Sequence, residues 1–295
     1  MSSTADRLAA SRQERYELAV LGSPIAHSQS PRLHRAAYRV LGLDWTYTSA
    51  EVTEATLPEY LVSRHDHWRG LSLTMPLKRS VLPLLDDIET VARDIGVVNT
   101  VLFDAGSQRG FNTDIGGIAR ALASVGLTRA ATAHVFGAGA TAASVLVALA
   151  SLGVTEVSVF ARDRDRIQWL EPIARTYGLA LTADSLDRVE ASATVPDVVV
   201  STLPGNAAAR LLVAEPTRRT SVLLDAAYDP WPSPLASAWA QVGGTVVSGL
   251  DMLVHQALLQ VRIFVNGDPE ASLENEVDVV NAMFAAVGAE ARAGS

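Results

Sequence analysis

The chain has 295 residues, a net charge of −8 and no cysteine. That length allows one large domain or two ordinary ones, and the missing thiols exclude disulfides, thiolate metal sites and a cysteine nucleophile. Hydrophobic residues make up 48% of the chain, enough for a proper core; no apolar run approaches the ~20 residues of a membrane span, and no basic block invites nucleic acid.

Residues 1–15 read as a disordered leader, small, polar and charged, with no apolar stretch of the signal-peptide kind. A soluble, cytoplasmic protein is expected. The first strand is expected at 17–21, ending in Gly22-Ser23-Pro24. Ser30-Pro31 then marks a helix start, with serine as N-cap and proline in the first helical position. Leu33, Ala37, Tyr38 and Leu41 keep helical spacing, and Gly42 closes the helix. A strand at 46–52 and a helix at 57–63 continue an alternating order that implies a mostly parallel sheet.

The stretch GLSLTMPLK, residues 70–78, reads as a short buried strand that stops at Pro76, because proline cannot continue a central ladder. A helix can begin just after it, which places Lys78 at a strand-to-helix junction. A single lysine in such a place is most often a surface residue; its neighbours along the chain decide otherwise. A helix at 87–94, the run Gly96-Val97-Val98-Asn99-Thr100 and a strand at 100–103 follow. The segment 110–126 is expected to turn from loop to helix near Thr113-Asp114 and to lead into a second domain.

From Thr132 onward the pattern is a strand, a glycine-rich turn and an apolar helix, then strands at 156–160, 197–201, 221–224 and 244–248 with helical patches between. This is one doubly wound unit of ordinary domain size. A long helix at 249–265 ends at Asn266-Gly267, an amphipathic helix covers 273–287, and the last residues, 289–295, form a loose tail.

Gly137-Ala138-Gly139-Ala140-Thr141-Ala142 fits the G-x-G-x-x-A form of the dinucleotide fingerprint. The first glycine makes the turn, the second admits a pyrophosphate, and the helix N-terminus meets the anion. The pattern follows a strand and opens a helix, the context that gives it meaning. At the end of the next strand an acid would grip a free 2′-hydroxyl, whereas an arginine accommodates a 2′-phosphate. Arg162 and Asp163 offer both, with Arg164 and Arg166 behind them. Arg162 favours NADP with NAD as the alternative, and Arg166 reads as a solvated helix start.

Several separate stretches together resemble the shikimate dehydrogenase family, which reduces 3-dehydroshikimate to shikimate. They are GSPIAHSQSPRLH at 22–34, LTMPLK at 73–78, GVVNT at 96–100, NTDIGG at 112–117, the glycine turn, DAAYDPWPSPL at 225–235 and GLDMLVHQA at 249–257. The resemblance covers 16–287 and implies an α/β fold of two domains: a Rossmann-type doubly wound NADP domain (115–249) inserted in an α/β substrate domain with a mostly parallel sheet (16–114 and 250–288). It implies Lys78 as the catalytic acid and base, with Asp114 as its partner. It further implies Ser28 and Ser30 for the substrate carboxylate, and Thr74, Asn99, Tyr228 and Gln256 for the rest of the substrate. For the cofactor it implies Gly137, Ala138, Gly139, Ala140, Thr141, Arg162 and Asp163, with Thr202, Leu203 and Gly249 near the nicotinamide.

Elementary chemistry suits these roles. Hydride delivery to a ketone builds negative charge on oxygen, which an ammonium both stabilises and protonates. A carboxylate can hold that ammonium, and amides can donate to or accept from ring hydroxyls. If Ser30 caps its helix, Ser28 is left to hold the acid with backbone help. Two departures from the family stand out: Ser72 occupies the place of a usual asparagine, and Ala161-Arg162-Asp163 replaces an NRT run. Serine rather than threonine at Ser30 resembles shikimate-selective more than quinate-selective members. The rival readings are an NAD-dependent quinate/shikimate or aminoshikimate dehydrogenase and, ranked lower, a non-catalytic sensor of a shikimate-like acid or nucleotide. His27, His34 and His255 show no metal-ligand pairing and His65 and His67 belong to a polar loop, so no catalytic metal is expected. Trp231 and Met252 read as packing residues. The expected partners are the small-molecule substrate alone, without nucleic acid or membrane, and the protein is expected as a monomer or homodimer.

Overall fold

The computed structural model describes residues 14–64 and 67–291. Most of the expected leader, His65 and the last four residues of the expected tail lie outside those residues. The chain divides into two compact units, one formed by the chain up to Thr113 and by Leu253–Ala291, the other by Asp114–Met252. Among the described residues no helix is long and apolar enough to cross a membrane.

The first unit is built on β1 (Glu17–Gly22), β2 (Thr46–Glu51), β3 (Trp68–Leu73), β4 (Asp87–Ile88), β5 (Thr100–Asp104) and β6 (Ser107–Phe111), in the sheet order β2-β1-β3-β5-β6-β4. Its helices are α1 (Ser30–Leu41), α2 (Leu57–Val62), α3 (Leu77–Ser80) and α4 (Thr90–Ile95). The strands β1, β2 and β3 run parallel. Leu18 and Val20 on one face of β1 join Leu33, Tyr38 and Phe264, while Ala19 and Leu21 on the other join Leu57, Leu71, Leu73 and Leu77. The sheet is therefore covered on both faces, as a parallel sheet with crossover helices must be.

Two parts of this unit differ from the sequence reading. β6 pairs antiparallel with β5 where a loop was expected. The hairpin turn between them is Ala105-Gly106, both at positive φ (49° and 81°), as a type I′ turn demands. The expected helix at 87–94 starts only at Thr90, because Asp87 and Ile88 pair with Arg109 and Gly110 of β6. From Leu253 onward α11 (Gly249–Asn266) covers the sheet together with α12 (Glu276–Ala286). Arg262 of α11 grips Glu276 through Nε at 2.8 Å and donates from Nη1 to the carbonyl of Pro269 at 2.9 Å, so the loop between the two helices is held by one buried guanidinium.

The second unit begins with α5 (Asp114–Ala123) and carries a six-stranded sheet of β7 (Thr132–Phe136), β8 (Glu156–Ala161), β9 (Ala180–Ser185), β10 (Val198–Ser201), β11 (Val222–Asp225) and β12 (Val246–Ser248). The order is β12-β11-β10-β7-β8-β9, and every pairing is parallel. This is the doubly wound arrangement in which the strand order reverses between β7 and β10, where such sheets bind ligands. α6 (Ala140–Ser151) follows β7 directly, and its run of buried residues from Ala142 to Leu149 shows why it reads as apolar all round. α7 (Glu171–Thr176), α8 (Gly205–Ala208), α9 (Glu215–Thr220) and α10 (Pro234–Ala240) complete the unit. β9, which the sequence reading did not find, pairs with β8 along its whole length.

Candidate active site

In the first unit, β1 and β3 end side by side, and the approach is close because Gly22 has no side chain. A Cβ there would lie 2.4 Å from Thr74 Cγ2 and 2.8 Å from the carbonyl oxygen of Met75. The Ser23 amide donates to Met75 O at 3.0 Å and the Thr74 amide to Leu21 O at 2.9 Å. Glu51, the last residue of β2, accepts from the Ser23 hydroxyl at 2.6 Å and from the Ile25 amide at 3.3 Å. These bonds lay the 23–30 loop, with Ser28, beside the turn that carries Thr74 and Lys78.

The helix start differs from expectation. Gln29 is the N-cap, without a side-chain cap bond, and Ser30 is already helical. The hydroxyl that serves this end is that of Ser28, which accepts from the Ser30 amide at 3.4 Å. Ser30 is thus released from the capping role, and Ser28 still has its own proton to donate. Lys78 sits half-buried in α3, two residues after Pro76, and its carbonyl accepts from the Val98 amide at 2.8 Å. That bond sets the lysine beside the segment holding Asn99, whose carbonyl accepts from the Leu73 amide at 2.8 Å.

Asn99 is buried in a web of polar groups. Its Oδ1 accepts from the Thr113 amide at 2.9 Å and from the Thr100 hydroxyl at 2.8 Å, and its Nδ2 donates to Thr113 Oγ1 at 2.9 Å. Gln256 lies next to it, with Oε1 3.4 Å from Asn99 Nδ2. Gln260, one turn further along α11, donates to Thr100 Oγ1 at 2.9 Å and accepts from Ser72 Oγ at 2.8 Å. Ser72 in turn accepts from the Tyr47 hydroxyl at 2.6 Å. The hydroxyl that replaces the family's asparagine therefore gives its one proton to Gln260 inside the protein.

His34 closes this web, with Nε2 3.2 Å from Gln260 Oε1, Nδ1 3.2 Å from the Tyr38 hydroxyl, and its ring stacked on Tyr47. Burial pushes its pKa down to about 3, against the raising effect of the Gln260 bond. It is a core histidine. His27 and His67 are exposed, and Met252 is buried as a packing residue should be. Trp231, expected to pack, is instead 38% exposed. It lies in the Asp229–Pro232 turn, between two prolines.

In the second unit, the Gly137 amide closes β7 by donating to Phe160 O at 2.8 Å. Gly137 has φ +108°, and a Cβ on it would strike Thr202 Oγ1 at 2.3 Å. Thr202 braces the turn from β10, donating from its hydroxyl to Phe136 O at 3.0 Å. Ala138 holds the far side by accepting from the Trp169 indole at 3.1 Å. Gly139 caps α6 with no side-chain bond, and a Cβ there would meet nothing within 4 Å. Ala140 and Thr141 form the first turn of α6. The arrangement leaves backbone N–H groups and open space at a helix N-terminus, which fits a pyrophosphate.

Arg162 and Asp163 follow β8 and are both exposed. Asp163 is an N-cap: its Oδ1 accepts from the Asp165 amide at 3.0 Å. The residues behind it, including Arg164 and Arg166, form a 3₁₀ turn (Arg164–Leu170). Leu203 follows Thr202, half-buried. Gly249 starts α11, and a Cβ on it would lie 2.3 Å from Ala226 O, so a glycine lets β12 and the chain after β11 touch. Tyr228 belongs to that chain, with its phenol pKa raised by burial and then by Asp229. Asp114 opens α5 and is 3% exposed.

The first unit thus gathers Ser28, Ser30, Thr74, Lys78, Asn99 and Gln256, while Asp114, Tyr228 and the glycine-turn residues belong to the second. Glu51, Thr113 and Gln260, which hold the first group in place, were not singled out from sequence. The place of Thr113 in the stretch 112–117 and the i, i+4 spacing of Gln256 and Gln260 were the available signals.

Comparison with known proteins bears on this set. Residues 20–101 match the family model of the shikimate dehydrogenase substrate binding domain. A protein of Methanothermobacter thermautotrophicus, named shikimate dehydrogenase (NADP(+)), is 31% identical over 261 residues, spanning 85% of this chain and 91% of that one. The chain belongs to the shikimate dehydrogenase family. Among solved members, the shikimate dehydrogenase of Mycobacterium tuberculosis is 41% identical with a TM-score of 0.79, over 92% of this chain and 99% of that one. The Thermus thermophilus shikimate 5-dehydrogenase, solved in complex with NADP(H) and shikimate, is 31% identical with a TM-score of 0.75, over the same shares of the two chains. The two-domain α/β fold expected of a shikimate dehydrogenase is the fold observed.

Proposed function

We propose that this chain is an NADP-dependent shikimate dehydrogenase, reducing 3-dehydroshikimate to shikimate reversibly, with Lys78 as proton donor and acceptor and Asp114 as the carboxylate that holds it. The observation that carries the reading is the gathering of two serines, a threonine, a lysine and two amides at one end of the first unit's sheet. The names of the relatives and the ligands in the Thermus structure support it.

The residues present fit the cofactor. Gly137 takes a backbone conformation closed to side chains, Gly139 opens onto empty space, and α6 points uncapped amides there. Arg162 is available to a 2′-phosphate, whereas one oxygen of Asp163 is already engaged with its own backbone. That engagement favours NADP over NAD, because an acid gripping a ribose needs its oxygens directed at the sugar.

When bound, NADPH supplies a hydride to the ketone carbon. Ser28 and Ser30 hold the substrate carboxylate by hydroxyl donation. Lys78 meets the ketone oxygen, stabilises the charge that develops there and gives it a proton. Asp114 keeps the ammonium in place through a charge-assisted hydrogen bond, and in the reverse direction Lys78 receives the proton of the ring hydroxyl. The test follows absorbance of reduced nicotinamide at about 340 nm with shikimate or quinate and with NADP or NAD. Turnover should be fastest with shikimate and NADP. Preference for quinate and NAD would establish the rival dehydrogenase, and no turnover with any pair would end the enzymatic reading.

A further inference from the structure

The glycine turn between β7 and α6 depends on the direction of one peptide. In a planar trans peptide the C=O and the N–H point opposite ways, and among the described residues cis bonds occur only before proline. Whatever grips the carbonyl of Ala138 therefore sends the amide of Gly139 to the other side. The group that grips it is the Trp169 indole, donating from Nε1 at 3.1 Å. Among the described residues no second donor reaches that carbonyl, and no acceptor takes the Gly139 amide. The peptides on either side have anchors of their own. The Gly137 amide donates to Phe160 O at 2.8 Å, and Gly139 O accepts from the Ala142 amide at 3.0 Å. The peptide between them is fixed by the indole.

A glycine makes that fixing necessary. Gly139 stands at φ −89°, and a flip of the Ala138–Gly139 peptide would carry it to about +90°, a region that glycine enters freely and other residues avoid. The flipped peptide would turn its C=O into the open space beside Gly139, where a Cβ meets nothing within 4 Å. An anion arriving there would meet oxygen instead of N–H. The missing side chain that lets a pyrophosphate approach thus also leaves the turn free to present its wrong pole.

We propose that Trp169 is a positioning residue: its indole locks the Ala138–Gly139 peptide with the N–H outward, so that the turn is set for a diphosphate before any ligand arrives. Trp169 belongs to the 3₁₀ turn Arg164–Leu170, which follows Arg162 and Asp163 directly. One short segment then serves both the 2′ position and the diphosphate. The inference rests on the reading of the glycine turn as the NADP site and deepens it.

The experiment is calorimetric titration of the full chain with NADP, with NAD and with adenosine 2′-monophosphate, which carries the 2′-phosphate without the diphosphate. Trp169 is half-buried, and Trp169→Phe keeps a ring while losing the N–H. It should weaken NADP and NAD alike, roughly 10-fold, the weight of one hydrogen bond to a charged group, and leave adenosine 2′-monophosphate within about 2-fold. In turnover, KM for NADP should rise with kcat unchanged, the mark of binding lost equally from ground and transition states. Trp169→Met, unbranched and adaptable, also lacks the donor and carries the same expectation should Trp169→Phe not fold. Weakening of NADP alone, or of adenosine 2′-monophosphate by the same factor as NADP, would show that Trp169 merely packs the arginine-bearing turn and would overturn the proposal. Unchanged affinity for all three would overturn it as well. Each of these results leaves the dehydrogenase reading standing, whereas a wild type that binds neither NADP nor NAD would overturn both.

Discussion

Lys78 is the residue on which the proposed chemistry turns, because among the described residues no other amine joins the hydroxyls and amides gathered at the end of the first sheet. Lys78→Ala should lower kcat by roughly 10²–10⁴, the span of general acid–base catalysis, with the fold intact by circular dichroism; a variant turning over near the wild-type rate would remove the lysine from the mechanism. Arg162 makes a different claim, about the cofactor. Its exposed guanidinium follows β8, where the neighbouring carboxylate of Asp163 is tied to the Asp165 amide. Arg162→Ala should raise KM for NADP roughly 10-fold or more, the weight of a hydrogen bond to a charged group, and leave KM for NAD nearly unchanged. Equal effects on the two cofactors would show that Arg162 does not read the 2′-phosphate. Lys78 was legible in the sequence because it follows Pro76 at the end of a strand, and Arg162 because it stands at the end of the strand that follows the glycine turn. Ser30 was read correctly as a helix start and wrongly as a cap, since Ser28, two residues earlier, supplies the hydroxyl that a cap would give.

Among the elements, β3 depends on a glycine that the motif reading passed over. A Cβ on Gly70 would lie 2.3 Å from Phe264 Cε1 and 2.6 Å from the carbonyl oxygen of Val101. Overpacking of this kind costs about 1–3 kcal/mol. Gly70→Ala should therefore lower the melting temperature by several degrees, and an unchanged melting curve would mean that Phe264 moves aside freely. The joint between α11 and α12 is stiffer still. Arg262, with its side chain 5% exposed, has Glu276 as its counter-ion, and removing one partner of a buried pair typically costs about 3–5 kcal/mol. Glu276→Ala should produce a loss of that order in urea unfolding, larger than Arg175→Ala, whose ion pair with Glu171 is exposed. Strand and helix identities followed from spacing and from the glycine and proline boundaries. The β5–β6 hairpin did not, because its turn places an alanine at positive φ, a conformation that alanine rarely signals. The polar web was equally hidden. His34 and Gln260 stand 226 residues apart, and nothing local in either stretch announces the other.

At the scale of the whole molecule, acid should act through two buried imidazoles, one in each unit. Burial lowers His34 from 6.5 to about 3 and His134 from 6.5 to about 4. The folded chain keeps both rings neutral over a range where the unfolded chain binds protons, so stability present above about pH 6.5 is lost as the pH falls toward 4 and 3. Asp225 and Glu89, whose pKa values burial raises, act in the opposite sense at the acid end. The comparison that isolates the histidines is His134→Gln against wild type in urea unfolding between pH 7 and 4.5. The variant should lose less stability with acidification, and parallel slopes would exclude this source of acid sensitivity.

The bare backbone of Gly22 has a further consequence for selectivity. With no side chain between the two strand ends, the loop bearing Ser28 and the turn bearing Lys78 are bolted into one rigid jaw. On the proposed reading, a ligand whose acid is clasped by the serines would present only one of its ring carbons to the lysine. The spacing between acid and ketone becomes a ruler, and a ring with the ketone one carbon out of place would be held without being reduced.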